Sequence, residues 1–194
     1  MILYLHGFLS SPQSFKAQMI AQRLQMLGCE AEYRCPQLPA SPSEAIRLAQ
    51  ESVRDCPPSQ LTLIGSSLGG YYATWLAEQF GCRAVLLNPA VAAPHDLEQY
   101  VGVTRAWHSG QPFEFRHEYI HDLKALAVPR ISKPQRYFLL AATGDEVLDW
   151  RQMVTHYAGA QQLVINGSDH GISDFERYLD QVLRFCGIAA QGHQ

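Results

Sequence analysis

Two short motifs in the sequence combine residue types that hydrolytic enzymes use. Residues 65–69 read Gly-Ser-Ser-Leu-Gly and match the pattern G-x-S-x-G, in which the serine, Ser67, would be a nucleophile for acyl transfer. Residues 117–121 read His-Glu-Tyr-Ile-His and match the pattern H-E-x-x-H, in which two histidines bind zinc from one helix face. The patterns imply different enzymes, and patterns this short also arise by chance, so the surrounding elements have to decide between them.

The serine motif is flanked by the elements that its chemistry requires. The apolar residues 61–64 predict a buried strand directly before the motif, and helical spacing of apolar residues begins at Leu68 directly after it. The serine then lies on a sharp turn, where Gly65 and Gly69 avoid the clashes that a Cβ atom would cause. We therefore predict that Ser67 is the nucleophile and that the backbone N–H of Leu68, at a helix N-terminus, is an oxyanion donor.

A serine nucleophile needs a base, and the base needs a carboxylate that orients it. Asp145 follows the predicted strand 137–142, and His170 follows the predicted strand 163–165. Both residues come after late strands, in the chain order Ser, Asp, His that is typical of a nucleophile on a strand–helix turn. We predict that Ser67, Asp145 and His170 are the catalytic residues.

Each partner of the serine has a rival elsewhere in the sequence. Asp149 is a second candidate acid, but it is also suited to cap the helix predicted after it, so Asp145 is favoured. His156 falls within that predicted helix, which favours a surface or packing role, and His6 is suited to hold the loop after the first strand by hydrogen bonds. His170 is therefore the favoured base.

The second motif lacks the context that a zinc enzyme requires. No third ligand with a recognisable spacing follows His121, and Pro129 ends any helix soon after it. We therefore expect His117 and His121 to lie on a helix surface or in a lid, and we keep a zinc hydrolase only as an alternative. For the favoured reaction we predict no metal and no cofactor.

The alternation of short apolar runs with longer helical patterns predicts an α/β fold. The predicted strands cover residues 1–5, 30–34, 61–64, 84–87, 137–142 and 163–165, and the predicted helices include residues 15–26, 43–53, 68–80 and 175–185. We expect a single domain over residues 1–194, with a compact, mostly parallel sheet of about six strands and helices on both faces. No strand is predicted between Pro89 and Pro134, and residues 91–126 are expected to contain a short cap or lid.

The composition excludes several classes of function. With 15 basic and 18 acidic side chains and a formal net charge of −3, the chain lacks the positive charge of a nucleic-acid binder. No apolar run reaches the roughly 18 residues that a membrane-spanning helix needs, and no basic segment precedes the apolar N-terminus. The five cysteines are scattered without a C-x-x-C pair, which favours a reducing compartment. We expect a cytoplasmic protein whose partner is a small molecule, not a nucleic acid or a membrane.

The sequence resembles the YqiA-type small bacterial esterases of the α/β-hydrolase superfamily. The resemblance runs over nearly the entire chain and is carried by residues 4–8, 10–12, 36–39, 65–76, 88–91 and 143–149. The most specific stretch is the run at 65–76, which reads Gly-Ser-Ser-Leu-Gly-Gly-Tyr-Tyr-Ala-Thr-Trp-Leu. The resemblance implies an α/β-hydrolase fold and a serine esterase or thioesterase that works without a cofactor.

The resemblance also implies roles for particular residues. Ser67 would be the nucleophile, His170 the general base and then acid, and Asp145 the orienting carboxylate. The backbone N–H of Phe8 would be the second oxyanion donor, and Gly7 would make its close approach to the serine possible.

Four further residues are candidates for substrate contact. His6 and Gly7 are expected at the pocket after the first strand, whereas Trp107 and Phe113 fit an acyl pocket and an ordinary core equally well. The favoured function is hydrolysis of carboxylic esters, or of acyl thioesters, through an acyl-enzyme. The alternative from another class is a module of the same fold that binds a ligand without turnover. Because the sheet and its helices use most of the chain, we expect a shallow, open pocket suited to small or flexible acyl groups.

Overall fold

The computed structural model describes residues 1–105 and 112–188. Its strands are β1 (Ile2–Leu5), β2 (Tyr33–Arg34), β3 (Thr62–Ser66), β4 (Arg83–Leu87), β5 (Gly102–Arg105), β6 (Pro112–Phe115), β7 (Tyr137–Ala142) and β8 (Gln161–Ile165). Its α-helices are α1 (Phe15–Met26), α2 (Pro42–Val53), α3 (Leu68–Phe80), α4 (Ala93–Asp96), α5 (His117–Ala125), α6 (Trp150–His156) and α7 (Glu176–Phe185). Within these residues, no helix combines the length and the apolar character needed to cross a membrane.

Six of these strands form one parallel sheet in the spatial order β2-β1-β3-β4-β7-β8. Leu5 lies beside Gly65, and Ser66 lies beside Leu87, so the strands end at nearly the same level. The predicted α/β class and the predicted parallel sheet of six strands are confirmed. Because all six strands point the same way, the loops that leave β1, β3, β7 and β8 can meet at one edge.

Successive residues of each strand face opposite sides of the sheet, so each face has its own core. In β1, Leu3 and Leu5 pack in a cluster with residues of α2, α3, α5 and α6, whereas Ile2 and Tyr4 pack in a cluster with residues of α1 and α7. Burial on both faces explains why the central strands β1, β3, β4 and β7 are largely apolar in the sequence, whereas the edge strands β2 and β8 are partly exposed. The predicted placement of helices on both faces is confirmed.

Residues 91–126 contain an antiparallel hairpin that the sequence analysis did not predict. Strands β5 and β6 pair from Gly102 opposite Phe115 to Arg105 opposite Pro112. The expectation that this region has no strand is therefore wrong. Each strand has only four residues, and one begins with glycine and the other with proline, both of which are depleted in strands.

Helix α2 begins one residue earlier than predicted. The hydroxyl of Ser41 accepts a hydrogen bond from the N–H of Glu44 at 3.4 Å, which makes Ser41 the N-cap. Pro42 takes the first helical position, where its missing N–H costs nothing. Helices α1 and α3 begin and end at the predicted residues.

Candidate active site

Ser67 lies on a sharp turn between β3 and α3, in a backbone conformation that few residues other than glycine adopt. Its φ is 54° and its ψ is −120°. Such a conformation costs about 1–3 kcal/mol, so the surrounding structure has to hold it. The Ser67 N–H donates to the Leu87 carbonyl at 3.1 Å, and the Ser67 carbonyl accepts from the Ala90 N–H at 3.0 Å. The turn is thus fixed to the end of β4.

The glycines on either side of Ser67 allow a backbone approach that no side chain would permit. A Cβ atom on Gly65 would lie 2.3 Å from the carbonyl oxygen of Gly69, and a Cβ atom on Gly69 would lie 1.9 Å from the carbonyl oxygen of Leu5. Backbone atoms in a sheet cannot move enough to relieve such contacts. The motif therefore has glycine at both positions because α3 starts directly against β1 and β3.

Three predicted residues form a continuous chain of hydrogen bonds at this edge. The Ser67 Oγ lies 3.1 Å from the Nε2 of His170, and the Nδ1 of His170 lies 2.8 Å from the Oδ2 of Asp145. The Asp145 side chain is fully buried, and its Oδ1 also accepts the N–H groups of Val147 and Leu148 at 2.8 Å each. Since the carboxylate only accepts hydrogen bonds, the Nδ1 of His170 donates to it and Nε2 is left to accept from the serine hydroxyl.

The structure does not bring the rival residues to the serine. An Asp149 oxygen accepts the Arg151 N–H at 3.0 Å and caps α6, as its sequence position suggested. His156 lies in the last turn of α6 against the ring of Tyr157, and burial lowers the pKa of its imidazole. Both residues therefore have structural partners away from Ser67.

His6 is buried behind the candidate site and supports the loop after β1. Its Nε2 accepts the N–H of Leu38 at 3.0 Å, and its Nδ1 lies 2.9 Å from the carbonyl oxygen of Gly7. The side chain does not line the cavity beside Ser67. The structure therefore favours the loop-holding role over the expected substrate contact.

The loop that carries His170 is held by side chains that the sequence analysis did not select. The Nδ2 of the fully buried Asn88 donates to the carbonyl oxygens of Asp169 at 3.0 Å and of His170 at 2.9 Å. The N–H of His170 donates to Glu146 at 3.0 Å, and the ammonium of Lys16 donates to the carbonyl of Gly171. In the sequence, Asn88 is marked only by its place at the end of a predicted strand and within the stretch 88–91 that carries the family resemblance.

A cavity of about 340 Å³ opens beside Ser67 and His170. The predicted residues Gly7, Phe8 and Leu68 also line it. Among the described residues, no protein acceptor takes a hydrogen bond from the backbone N–H of Phe8 or of Leu68. These two groups are therefore available to a ligand in the cavity, as an oxyanion site requires.

A family model described as "Uncharacterised protein family (UPF0227)" matches residues 1–187. The chain belongs to this family. The match confirms the resemblance to the YqiA-type proteins that the motifs indicated.

Solved structures of other proteins share the fold of this UPF0227 chain. A protein of Agrobacterium vitis S4 superposes with a TM-score of 0.75 at 18% identity, over 95% of this chain and 87% of its own. Mouse alpha/beta hydrolase domain-containing protein 10 superposes with a TM-score of 0.70 at 16% identity, over 94% of this chain and 89% of its own. Est1E of Butyrivibrio proteoclasticus, solved with ferulic acid bound, superposes with a TM-score of 0.69 at 12% identity, over 94% of this chain and 87% of its own. The likeness confirms the predicted α/β-hydrolase fold.

An aromatic cluster connects residues 91–126 of the UPF0227 chain to the loop after β1. The ring of Phe8 lies 5.4 Å from that of Tyr100, 5.3 Å from that of Phe113 and 5.1 Å from that of Phe115, measured between centroids. Tyr100 lines the cavity, whereas Phe113 packs behind it against Phe8. The expected acyl-pocket residue Trp107 lies outside the described residues.

The H-E-x-x-H motif of the UPF0227 chain does not assemble a metal site in the part that the structure describes. His117, Glu118 and His121 lie on α5, and all three side chains are exposed. Within residues 1–105 and 112–188, no group of three His, Cys, Asp or Glu side chains is arranged to hold a metal ion. The motif therefore behaves as a helix surface, as its sequence context indicated.

Proposed function

We propose that this chain is a serine hydrolase that cleaves carboxylic esters, including acyl thioesters, through an acyl-enzyme on Ser67. The observation that supports it best is the hydrogen-bond chain from Ser67 through His170 to the buried Asp145, at the wall of a cavity. This arrangement has a nucleophile, a base and an orienting acid, each within hydrogen-bond distance of the next. No cofactor is needed for this chemistry.

The first half of the reaction forms the acyl-enzyme. The Nε2 of His170 takes the hydroxyl proton as the Ser67 Oγ attacks the carbonyl carbon, and the backbone N–H groups of Phe8 and Leu68 stabilise the oxyanion. When the tetrahedral intermediate collapses, the bond to the leaving oxygen or sulfur breaks and the His170 imidazolium gives its proton to the departing alcohol or thiol.

The second half returns the enzyme to its starting state. His170 takes a proton from water, and the resulting hydroxide attacks the acyl carbon to form a second oxyanion at the same N–H groups. Collapse breaks the bond between the acyl carbon and the Ser67 Oγ, which takes the proton from the His170 imidazolium, and the carboxylic acid is released. Asp145 stays ionised throughout and stabilises the imidazolium that forms in each half.

The cavity supports a small or flexible acyl group as substrate. Leu97, Tyr100, Val147 and Leu148 give its wall an apolar character, and its volume of about 340 Å³ suits a small ligand. Est1E, which shares the fold, holds ferulic acid. The net charge of −3 offers no attraction to polyanions. We propose a small-molecule ester as the partner and, because the scattered cysteines suit a reducing compartment, a cytoplasmic location.

A serine-reactive fluorophosphonate tests the proposal, because it labels only a serine that is activated as a nucleophile. We expect labelling of the wild-type protein and no labelling of Ser67→Ala. Ser66→Ala is the matched control, since Ser66 is the adjacent serine and lines the same cavity but makes no hydrogen bond with His170. A module that only binds a ligand would not be labelled, and equal labelling of Ser67→Ala would contradict the assignment.

A further inference from the structure

Lys16 is a buried lysine beside the candidate site to which the proposed reaction gives no role. It is the second residue of α1, only 6% of its surface is exposed, and it lines the same cavity as Ser67 and His170. Its ammonium donates a hydrogen bond to the carbonyl of Gly171, the residue after His170. A lysine is rarely buried to this extent unless its charge is paired or has a function.

Two carboxylates act on this ammonium, one from the loop after β7 and one from the loop after β8. Asp145 and Asp169 both favour the charged form, but the effect of burial is larger and lowers the pKa of the Lys16 ammonium to about 8. The ring of Phe15 lies 5.3 Å from the Nζ atom. The folded protein thus holds this charge at a cost to stability, which is typical of residues retained for function.

The loop that carries His170 is held at three successive carbonyl groups. Asn88 accounts for two of them, with bonds of 3.0 Å to Asp169 and 2.9 Å to His170. Lys16 accounts for the third, at Gly171. Asn88 ties the loop to the end of β4, and Lys16 ties it to the first turn of α1.

We propose that Lys16 is a positioning residue for acyl transfer, whose ammonium holds the loop at 169–171 so that His170 stays within hydrogen-bond distance of both Ser67 and Asp145. This proposal rests on the serine-hydrolase function proposed above. Hydrogen bonds from charged donors are about twice as strong as those from neutral donors, so the ionised form holds the loop more firmly. A displacement of a catalytic group by about 1 Å can lower the rate by about 100-fold.

The proposal predicts that turnover falls at alkaline pH. The ammonium form of Lys16 is present below pH 8 and is lost as the pH rises through about 8, which leaves a weaker neutral donor. Asp145 and Asp169 act on the ammonium, and the other titratable side chains that line its cavity are those of His170, Asp96, Tyr4 and Tyr100. Burial raises the pKa of Asp96, and it raises the pKa of the Tyr4 hydroxyl above its ordinary value. A fall in kcat near pH 8 that disappears when Lys16 is replaced belongs to the lysine rather than to these groups.

The test is the pH profile of ester hydrolysis by Lys16→Met, with a p-nitrophenyl ester as the substrate between about pH 6 and pH 10. Methionine fills a similar volume without the charge. At pH 7 we expect kcat to be lower by about 10- to 100-fold with little change in KM, and the alkaline fall to be absent. The melting temperature should not decrease, because a buried charge has been removed.

Arg23→Met is the matched control on the same helix. Arg23 pairs with Asp180 on α7 at 2.9 Å, and this pair has no contact with the loop of His170. Its loss should weaken the packing of α1 on α7 and leave kcat and the alkaline fall at wild-type values. If Arg23→Met changed the pH profile as Lys16→Met does, a general loosening of α1 would explain both results and the proposal would be overturned.

Lys16→Arg keeps the proposal testable if the methionine variant does not fold. Arginine stays charged at every pH of the assay, so Lys16→Arg should retain activity and lose the alkaline fall. An unchanged alkaline fall in Lys16→Arg, or wild-type kcat in Lys16→Met beside an inactive Ser67→Ala, would overturn the role of Lys16 alone. Wild-type protein that neither hydrolyses esters nor takes the fluorophosphonate would overturn the serine-hydrolase function and this proposal together.

Discussion

The two segments that match hydrolase motifs differ in how strongly the rest of the chain constrains them. At residues 65–69 every residue except Ser67 is buried, the serine has a positive φ of 54°, and a Cβ atom on Gly65 or Gly69 would clash with neighbouring backbone atoms. At residues 117–121 the motif occupies ordinary α-helix, and its His117, Glu118 and His121 side chains are exposed. Glycine is required at both ends of the first segment, whereas the exposed positions of the second segment can accept many side chains.

This difference separates a motif whose backbone geometry is fixed by its surroundings from a motif on an ordinary exposed helix. A strained residue costs about 1–3 kcal/mol, and it persists only where the surrounding structure is built to hold it. Ser67 is held by two backbone hydrogen bonds to the end of β4. The histidines of α5 receive no comparable support in the described residues. Matched substitutions in the two segments test this difference.

Loss of the serine hydroxyl is the largest expected effect. Ser67→Ala should lower kcat for a p-nitrophenyl ester by at least about 1,000-fold, because the members of the proposed triad act as one unit. The double variant His117→Ala/His121→Ala removes every histidine of the second motif and should retain wild-type kcat, with or without a chelator. Loss of activity in the histidine variant, or on chelation, would favour the zinc-hydrolase alternative over the serine hydrolase.

The second expected effect is that of the buried acid. Asp145→Asn should lower kcat by about 1,000- to 10,000-fold, because an amide can donate to Nδ1 and so favour the wrong tautomer of His170. Asp149→Ala is the matched control four residues later: it removes the cap of α6, which costs about 1 kcal/mol of stability, and should leave kcat unchanged. Similar losses of kcat in both variants would contradict the assignment of Asp145 alone as the orienting acid.

The features that the sequence predicted correctly are those that local patterns encode. The central strands β1, β3, β4 and β7 are buried and largely apolar, whereas only Tyr33–Arg34 of the predicted strand 30–34 joins the sheet. Ser67, Asp145 and His170 follow the ends of β3, β7 and β8. Because parallel strands end at one edge, their placement along the chain was enough to bring the three together.

The features that were missed depend on contacts between distant parts of the chain. Lys16 reaches Gly171 across 155 positions, and Asn88 reaches His170 across 82. A lysine in the first turn of a helix and an asparagine after a strand have no local mark of such partners. The hairpin of β5 and β6 is a local pairing and was missed for a different reason: each strand has only four residues and begins with glycine or proline, which are depleted in strands.

The glycines of the serine motif provide the third test, which concerns stability. Gly69→Ala would place a Cβ atom 1.9 Å from the carbonyl oxygen of Leu5, and should lower the free energy of unfolding by about 3 kcal/mol or more, as overpacking of rigid backbone does. Glu118→Ala in the second motif changes an exposed helix position and should stay within about 0.5 kcal/mol of wild type. Urea denaturation of both variants gives the comparison, and a Gly69→Ala protein of wild-type stability would show that the turn is less constrained than its geometry indicates.

The smallest expected effect concerns the aromatic rings of residues 91–126 and their influence on kcat. The ring of Phe113 meets that of Phe8 edge to face at 5.3 Å, and such a pair contributes about 0.5–1.5 kcal/mol beyond its buried area. Phe113→Leu should therefore loosen the loop that offers the Phe8 N–H to the oxyanion and lower kcat by about tenfold or less. Tyr119→Leu is the matched control, because the Tyr119 ring contacts Phe115 at 5.6 Å but not Phe8.

If Phe113→Leu and Tyr119→Leu lower the melting temperature alike and only Phe113→Leu lowers kcat, residues 91–126 act on the candidate site through the loop after β1. Equal kcat values in the two variants would show that residues 91–126 cover the loop after β1 without influencing the proposed oxyanion donors.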